Sequence, residues 1–275
     1  MTGILDKPQG GGDKGQPTRS VSFIRTVDNS TPHDDHNPPT ILRQQAKRLP
    51  GTEEEGDGDG ALDIGRLRLR AKQALEKKDQ IHILLAVTGS VATIKIALII
   101  QRLRQIYHQR AEIQLIATTS AKVFLRTIEL PKDVKVWYDE DEWKSRSGNA
   151  EATLHVQLRR WADILLVAPC SANTLAKFAY GICDNLLTSV FRVWNPTVPV
   201  LLAPAMNTQM YLNPVTKRHD KNIRALYPYV EILRPIEKVL VCGDIGMGGM
   251  CEWTEIVLKL TTRLGVEAED TDEDA

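Results

Sequence analysis

Residues 81–90 read IHILLAVTGS. Six of the first seven side chains are apolar and do not alternate with polar ones, which suits a strand buried on both faces rather than one with a wet side. The run stops at Thr88, Gly89 and Ser90, and residues 91–107 then repeat apolar side chains at helical spacing. A second strand-like run follows at 112–118. A buried strand, a turn of small polar residues, a helix and another buried strand make the unit from which parallel sheets are built.

The pattern continues outward from there. Residues 163–168 (DILLVA) and 198–203 (VPVLLA) read as further buried strands and 239–241 as a shorter one, mostly separated by helix-length segments. Together they predict an α/β domain over 80–266: a doubly wound, mainly parallel sheet of Rossmann or flavodoxin type, as the middle layer of a three-layer sandwich. Residues 61–79 read as an amphipathic lead-in helix, with Leu62, Leu69 and Leu75 among basic residues. Residues 1–60 hold nine of the 18 glycines and six of the 14 prolines with few large apolar side chains, so burial cannot offset their ordering entropy and a disordered extension is expected. Six acids in 267–274 predict a solvated acidic tail.

Charge and cysteine usage bound the function. Thirty-five basic and 35 acidic residues balance to zero, which argues against bulk attraction to nucleic acid or membrane. No apolar run reaches the roughly 18 to 20 residues that span a bilayer, and residues 1–10 lack a secretory signal. Cys170, Cys183, Cys242 and Cys251 form no CxxC pair and no His/Cys cluster at zinc spacing, so a reduced cytoplasmic or nuclear protein without bound metal is expected.

In doubly wound sheets ligands bind beyond the carboxyl ends of the strands. Here those turns carry Thr88, Gly89, Ser90 and Val91; Thr118, Thr119, Ser120 and Ala121; Ser171, Ala172, Asn173 and Thr174; and Ala205, Met206 and Asn207. Hydroxyls and backbone N–H groups at helix N-termini cradle phosphate, although Ser, Thr and Asn at such positions also serve simply as helix caps. No GxGxxG follows the first strand, so a mononucleotide such as FMN suits the turns better than a dinucleotide. Cys242 ends the run that begins at Val239, and four glycines follow it within 243–249. This is either a reactive thiol under a movable loop or an ordinary buried cysteine before a turn.

Four long motifs occur in one order: TGSVATIK (88–95), LHVQLRRWADILLVAPCSANTLAKFAYGICDNLLT (154–188), APAMNTQMYLNP (203–214) and VCGDIGMGGM (241–250). They resemble the family of flavin-dependent cysteine decarboxylases, phosphopantothenoylcysteine decarboxylases most closely, over about 81–264. The resemblance implies FMN held by Gly89, Ser90, Val91, Thr118, Thr119, Ser120, Ser171, Ala172, Asn173, Thr174 and Ala205. It implies His155 as the catalytic histidine and Cys242 as proton donor. Asn207, Gly243, Asp244 and Met250 would bind the substrate, 4'-phosphopantothenoylcysteine, with Asn207 on its carboxylate and 243–249 as a closing loop.

The implied chemistry removes a hydride from the cysteinyl thiol carbon to create an electron sink, releases carbon dioxide, and returns the hydride as Cys242 supplies a proton. The resemblance further implies a trimer, homomeric or mixed with a paralogue, whose sites take His155 from one protomer and Asn207 and Cys242 from the next. Some fungal members with N-terminal extensions inhibit a Ser/Thr protein phosphatase. Arg19, Ser20, Val21, Ser22 and Phe23 match a basic-x-Val-x-Phe docking pattern for such a partner.

Overall fold

The computed structural model describes residues 78–144, 153–239 and 245–265, together with Leu69 and Gln73, and the account below concerns these. The expected segments 1–60 and 267–275, the docking pattern at Arg19–Phe23, and Cys242, Gly243 and Asp244 lie outside the described residues. Of the expected lead-in helix over 61–79, Leu69, Gln73, Lys78 and Asp79 are described: the first two are helical and exposed, and the last two are not helical.

The doubly wound sheet expected from the sequence is present. Six parallel strands stand in the order β3-β2-β1-β4-β5-β6: β1 Ile81–Val87, β2 Ala111–Ala117, β3 Lys135–Tyr138, β4 Ile164–Cys170, β5 Val200–Pro204 and β6 Val230–Ile232. The chain winds from β1 through β2 to β3, then crosses back to place β4 on the other side of β1. The loops that follow β1 and β4 therefore diverge, and a crevice opens between them.

Residues along β1 go alternately to two cores. Ile81, Ile83, Leu85 and Val87 join one face; Leu84 and Ala86 join the other. The first face packs against α1 (Ile96–Tyr107) and, later in the chain, the helix Trp253–Leu264. The second meets α4 (Leu154–Trp161), α5 (Ala172–Tyr180), α6 (Leu186–Arg192) and α8 (Pro214–Leu226). Side chains such as Leu84 and Leu85, both fully buried, each contribute about 1.5–3 kcal/mol of burial, which is why these runs carry no polar alternation. The remaining short helices are α2 (Lys122–Leu125), α3 (Asp141–Lys144) and α7 (Thr208–Leu212).

Three expectations need correction. Residues 91–107 are not one α-helix: Val91–Lys95 is a 3-10 turn capped by Ser90, and α1 begins at Ile96. Val239, the described residue of the run expected over 239–241, does not join the parallel sheet. Ile236–Val239 (β7) pairs antiparallel with Ile245–Gly249 (β8) in a separate two-stranded sheet. The described part of the expected glycine-rich closing loop is thus a strand over Ile245–Gly249, in which Gly246 and Gly248 allow close packing. A Cβ on Gly246 would lie 2.7 Å from Thr208 Oγ1, and one on Gly248 would lie 2.5 Å from the Met206 carbonyl oxygen. The last helix, α9 (Trp253–Leu264), ends at Gly265, whose φ of 80° suits glycine.

Candidate functional site

The ends of β1 and β4 are stapled by one buried hydroxyl. Thr88 Oγ1 donates to the Pro169 carbonyl at 2.8 Å and accepts from the Ser171 amide at 2.8 Å, while the Thr88 carbonyl accepts from Thr93 Oγ1 at 2.9 Å. This holds two helix starts side by side. Ser90 caps the 3-10 turn through the Ala92 amide, and Ser171 caps α5 through the Thr174 amide at 3.2 Å. Both capping and ligand-facing readings therefore apply at these serines, since each also lines a cavity.

That cavity has a volume of about 690 Å³ and sits over the switch point, within the range of small-molecule sites. Its floor is made of small residues: Gly89, Ala172, Ala205, Gly248 and Gly249. Gly89 has no room for a side chain, because a Cβ there would lie 2.7 Å from Ser120 Cβ. Hydroxyls of Ser90, Ser120 and Ser171 stand at helix starts, where backbone N–H groups lack intrahelical partners. Val91, Met206, Met210, Met250 and Trp253 supply apolar walls. The arrangement suits a flat ligand that carries phosphate.

Ala205 and Asn207 reach this cavity from the loop after β5, which is fixed from both sides. The Ala205 amide donates to the Cys170 carbonyl, and the Met206 amide donates to the Gly248 carbonyl, each at 2.9 Å. Asn207 caps α7: its Oδ1 accepts from the Gln209 amide at 2.8 Å. The hairpin β7-β8 thus clamps the loop that presents Asn207.

Other expected ligand residues are engaged elsewhere. Thr119 gives both its hydroxyl (2.8 Å) and its amide (3.3 Å) to Asp139 Oδ2, whose Oδ1 accepts from the Leu186 amide at the start of α6. Thr118 is buried, and its hydroxyl meets Val87 O and Ser120 Oγ. Thr174 is also buried, with its hydroxyl bonded to Ser171. None of these three lines the cavity, and neither does His155. His155 stands in the first turn of α4, with Nδ1 2.7 Å from Glu142 Oε1.

Sequence reading missed Lys95, the one cationic side chain among the described residues that line the cavity, and Glu252, the one acidic. Lys95 lies within the quoted TGSVATIK motif, so its position was legible although its exposure to the cavity was not. Cys251, given no role from sequence, also lines the cavity. Burial, followed by its hydrogen bond to Glu255, pushes its thiol up to about 12 and keeps it protonated.

A family model described as Flavoprotein matches residues 71–265. This chain belongs to the flavoprotein family. Among curated relatives it is 50% identical over 217 residues to Coenzyme A biosynthesis protein 3 of Saccharomyces cerevisiae, covering 75% of this flavoprotein and 38% of that relative. The chain therefore spans under two-fifths of that relative's length. Among solved structures it is similar to a PPC decarboxylase mutant complexed with pantothenoylaminoethenethiol, at 41% identity and a TM-score of 0.62, covering 68% of this chain and 100% of that one. The FMN binding protein AtHal3 is likewise 41% identical with a TM-score of 0.59, covering 69% of this chain and 100% of that one.

Proposed function

We propose that this flavoprotein catalyses FMN-dependent decarboxylation of 4'-phosphopantothenoylcysteine to 4'-phosphopantetheine. The observation that carries the proposal is the cavity at the β1/β4 switch point, where a small-residue cradle on two helix starts faces the clamped Asn207 loop. The likeness to a PPC decarboxylase with pantothenoylaminoethenethiol, over 68% of this chain, supports the substrate class.

The residues present fit FMN. Gly89, Ser90, Ser120, Ser171, Ala172 and Asn173 would hold its phosphate and ribityl hydroxyls, with Ala205 against the ring system. Thr118, Thr119 and Thr174 would act from behind by fixing those turns. Bound there, FMN would supply reversible hydride transfer.

The protein's own groups would orient and protonate. Asn207 Oδ1 is occupied by the Gln209 amide, so its amide hydrogens are the end that would meet the substrate carboxylate. A neutral amide orients that group without stabilising its charge as strongly as arginine would, which suits a carboxylate about to leave as carbon dioxide. Lys95 would balance the remaining anionic charge, and Met250 and Trp253 would exclude water. Cys242 would supply the final proton, with Gly243 and Asp244 beside it.

His155 would act from a neighbouring protomer, because in a single chain it does not line the cavity that Asn207 lines. Tyr180, Ile182, Met210, Leu212 and Val215, each about half exposed, lie at the end of α5 and just beyond it, on α7 and at the start of α8, the apolar surface that a trimer, homomeric or mixed, would cover. Purified protein should be yellow and should release carbon dioxide from 4'-phosphopantothenoylcysteine. A colourless protein that releases none would end this proposal.

A further inference from the structure

Glu142 and His155 lie on different helices, α3 and α4, yet one carboxylate holds the histidine twice. Glu142 Oε1 is 2.7 Å from His155 Nδ1, and Oε2 accepts from the backbone N–H of His155 at 3.1 Å. The Glu142 side chain is 10% exposed and that of His155 23%, so water competes weakly for either bond.

The geometry of α4 explains the double hold. Its N-cap, Thr153, makes no side-chain cap bond, so Glu142 takes over that duty from outside the helix. An anion is favoured there by the positive end of the helix dipole. Glu142 is itself anchored: its neighbour Asp141 accepts from the Tyr138 amide at 2.8 Å, which ties α3 to the end of β3. A continuous path of bonds thus runs from the sheet edge to the imidazole.

An ionised carboxylate has no proton to give, so the 2.7 Å contact requires the proton on Nδ1. In the neutral ring the lone pair then belongs to Nε2, which lies 3.3 Å from Thr153 Oγ1. The other tautomer would set two acceptors against each other. We infer that Glu142 is a positioning residue that fixes the His155 imidazole in orientation and in the Nδ1–H tautomer, leaving Nε2 as the nitrogen that accepts a proton. What Nε2 then does for a substrate rests on the decarboxylase proposal; the tautomer does not.

Side-chain 15N NMR of the full chain with labelled histidine, assigned with His155→Asn, decides it. The measurement belongs at about pH 9, where imidazoles with the usual pKa of about 6.5 are neutral. His155 should show a protonated Nδ1 and a bare Nε2. In Glu142→Gln the two tautomers should mix, because an amide can donate to Nδ1 as well as accept from it. A bare Nδ1 in the unmodified protein, or an unchanged tautomer in Glu142→Gln, overturns the inference.

Kinetics supply a second arm. Glu142→Gln should lower kcat at least about tenfold with little change in KM, and Glu142→Asp should restore part of it. Equal kcat in Glu142→Gln and wild type would also overturn the inference. If the wild-type protein releases no carbon dioxide, the proposed function fails while the tautomer measurement still decides the role of Glu142.

Discussion

The side-chain oxygen of Thr88 stands 2.8 Å from the amide nitrogen of Ser171. Eighty-three residues separate them in sequence, and the bond joins the two strand ends between which the cavity opens. The same oxygen donates to the Pro169 carbonyl, so Thr88→Val would take this partner from one buried and one half-buried backbone group. A stability loss of about 1–3 kcal/mol is expected in urea denaturation, together with weaker retention of flavin. Thr118→Val is the control, since its hydroxyl makes only contacts of 3.2 and 3.3 Å, and should cost less. Equal losses would remove the staple from the account.

Two glycines of the cavity floor should respond differently to a partner change. Gly89→Ala would drive its Cβ into Ser120, a side-chain obstacle, so Ser120→Gly in the same chain should recover much of the roughly 1–3 kcal/mol lost. Gly248→Ala meets the Met206 carbonyl at 2.5 Å and requires φ of 137°, a backbone obstacle that no side-chain change relieves. A double-mutant cycle measured by thermal or urea unfolding reads the coupling between 89 and 120; a value near zero would contradict the packing described.

The described cysteines should separate by reactivity. Cys183 is exposed, whereas Cys170 and Cys251 are buried and their thiols are pushed up by that burial, Cys251 to about 12. The thiolate is the reacting form, so at about pH 8 iodoacetamide should label Cys183 first and reach Cys170 and Cys251 only as the fold opens. Timed quenching with peptide mass analysis checks this. Labelling of Cys251 as fast as Cys183 in the native protein would be incompatible with its position.

Mixing two inactive variants tests the shared site. His155→Asn and Cys242→Ser should each abolish carbon dioxide release alone. Co-expressed in equal amounts, they should restore about a quarter of the sites, because one kind of protomer still brings the histidine and the other the cysteine. No recovery in mixed assemblies would place His155 and Cys242 in the same chain's site.

The buried runs at 81–87, 112–118, 163–168 and 198–203 were legible because a strand covered on both faces can carry almost no polar side chains. The edge strands β3 and β6 were not, being four and three residues long with partly exposed positions that break any pattern. Glycine at 246 and 248 was misread as mobility. Sequence shows that a Cβ is missing, while the reason, the closeness of Thr208 and Met206, exists only once the hairpin is folded against the loop after β5.

The sequence alone determined the layered α/β fold, the turns that cap helices at the switch point and, through four ordered motifs, the family. Those properties depend on neighbours along the chain. Tertiary structure decided that Ser120 faces the cavity while Thr119 is spent on Asp139, that Lys95 and Cys251 line the cavity, and that Glu142 grips His155. Each of these is a distance between residues brought together by the winding of the sheet, and no local pattern encodes such a distance.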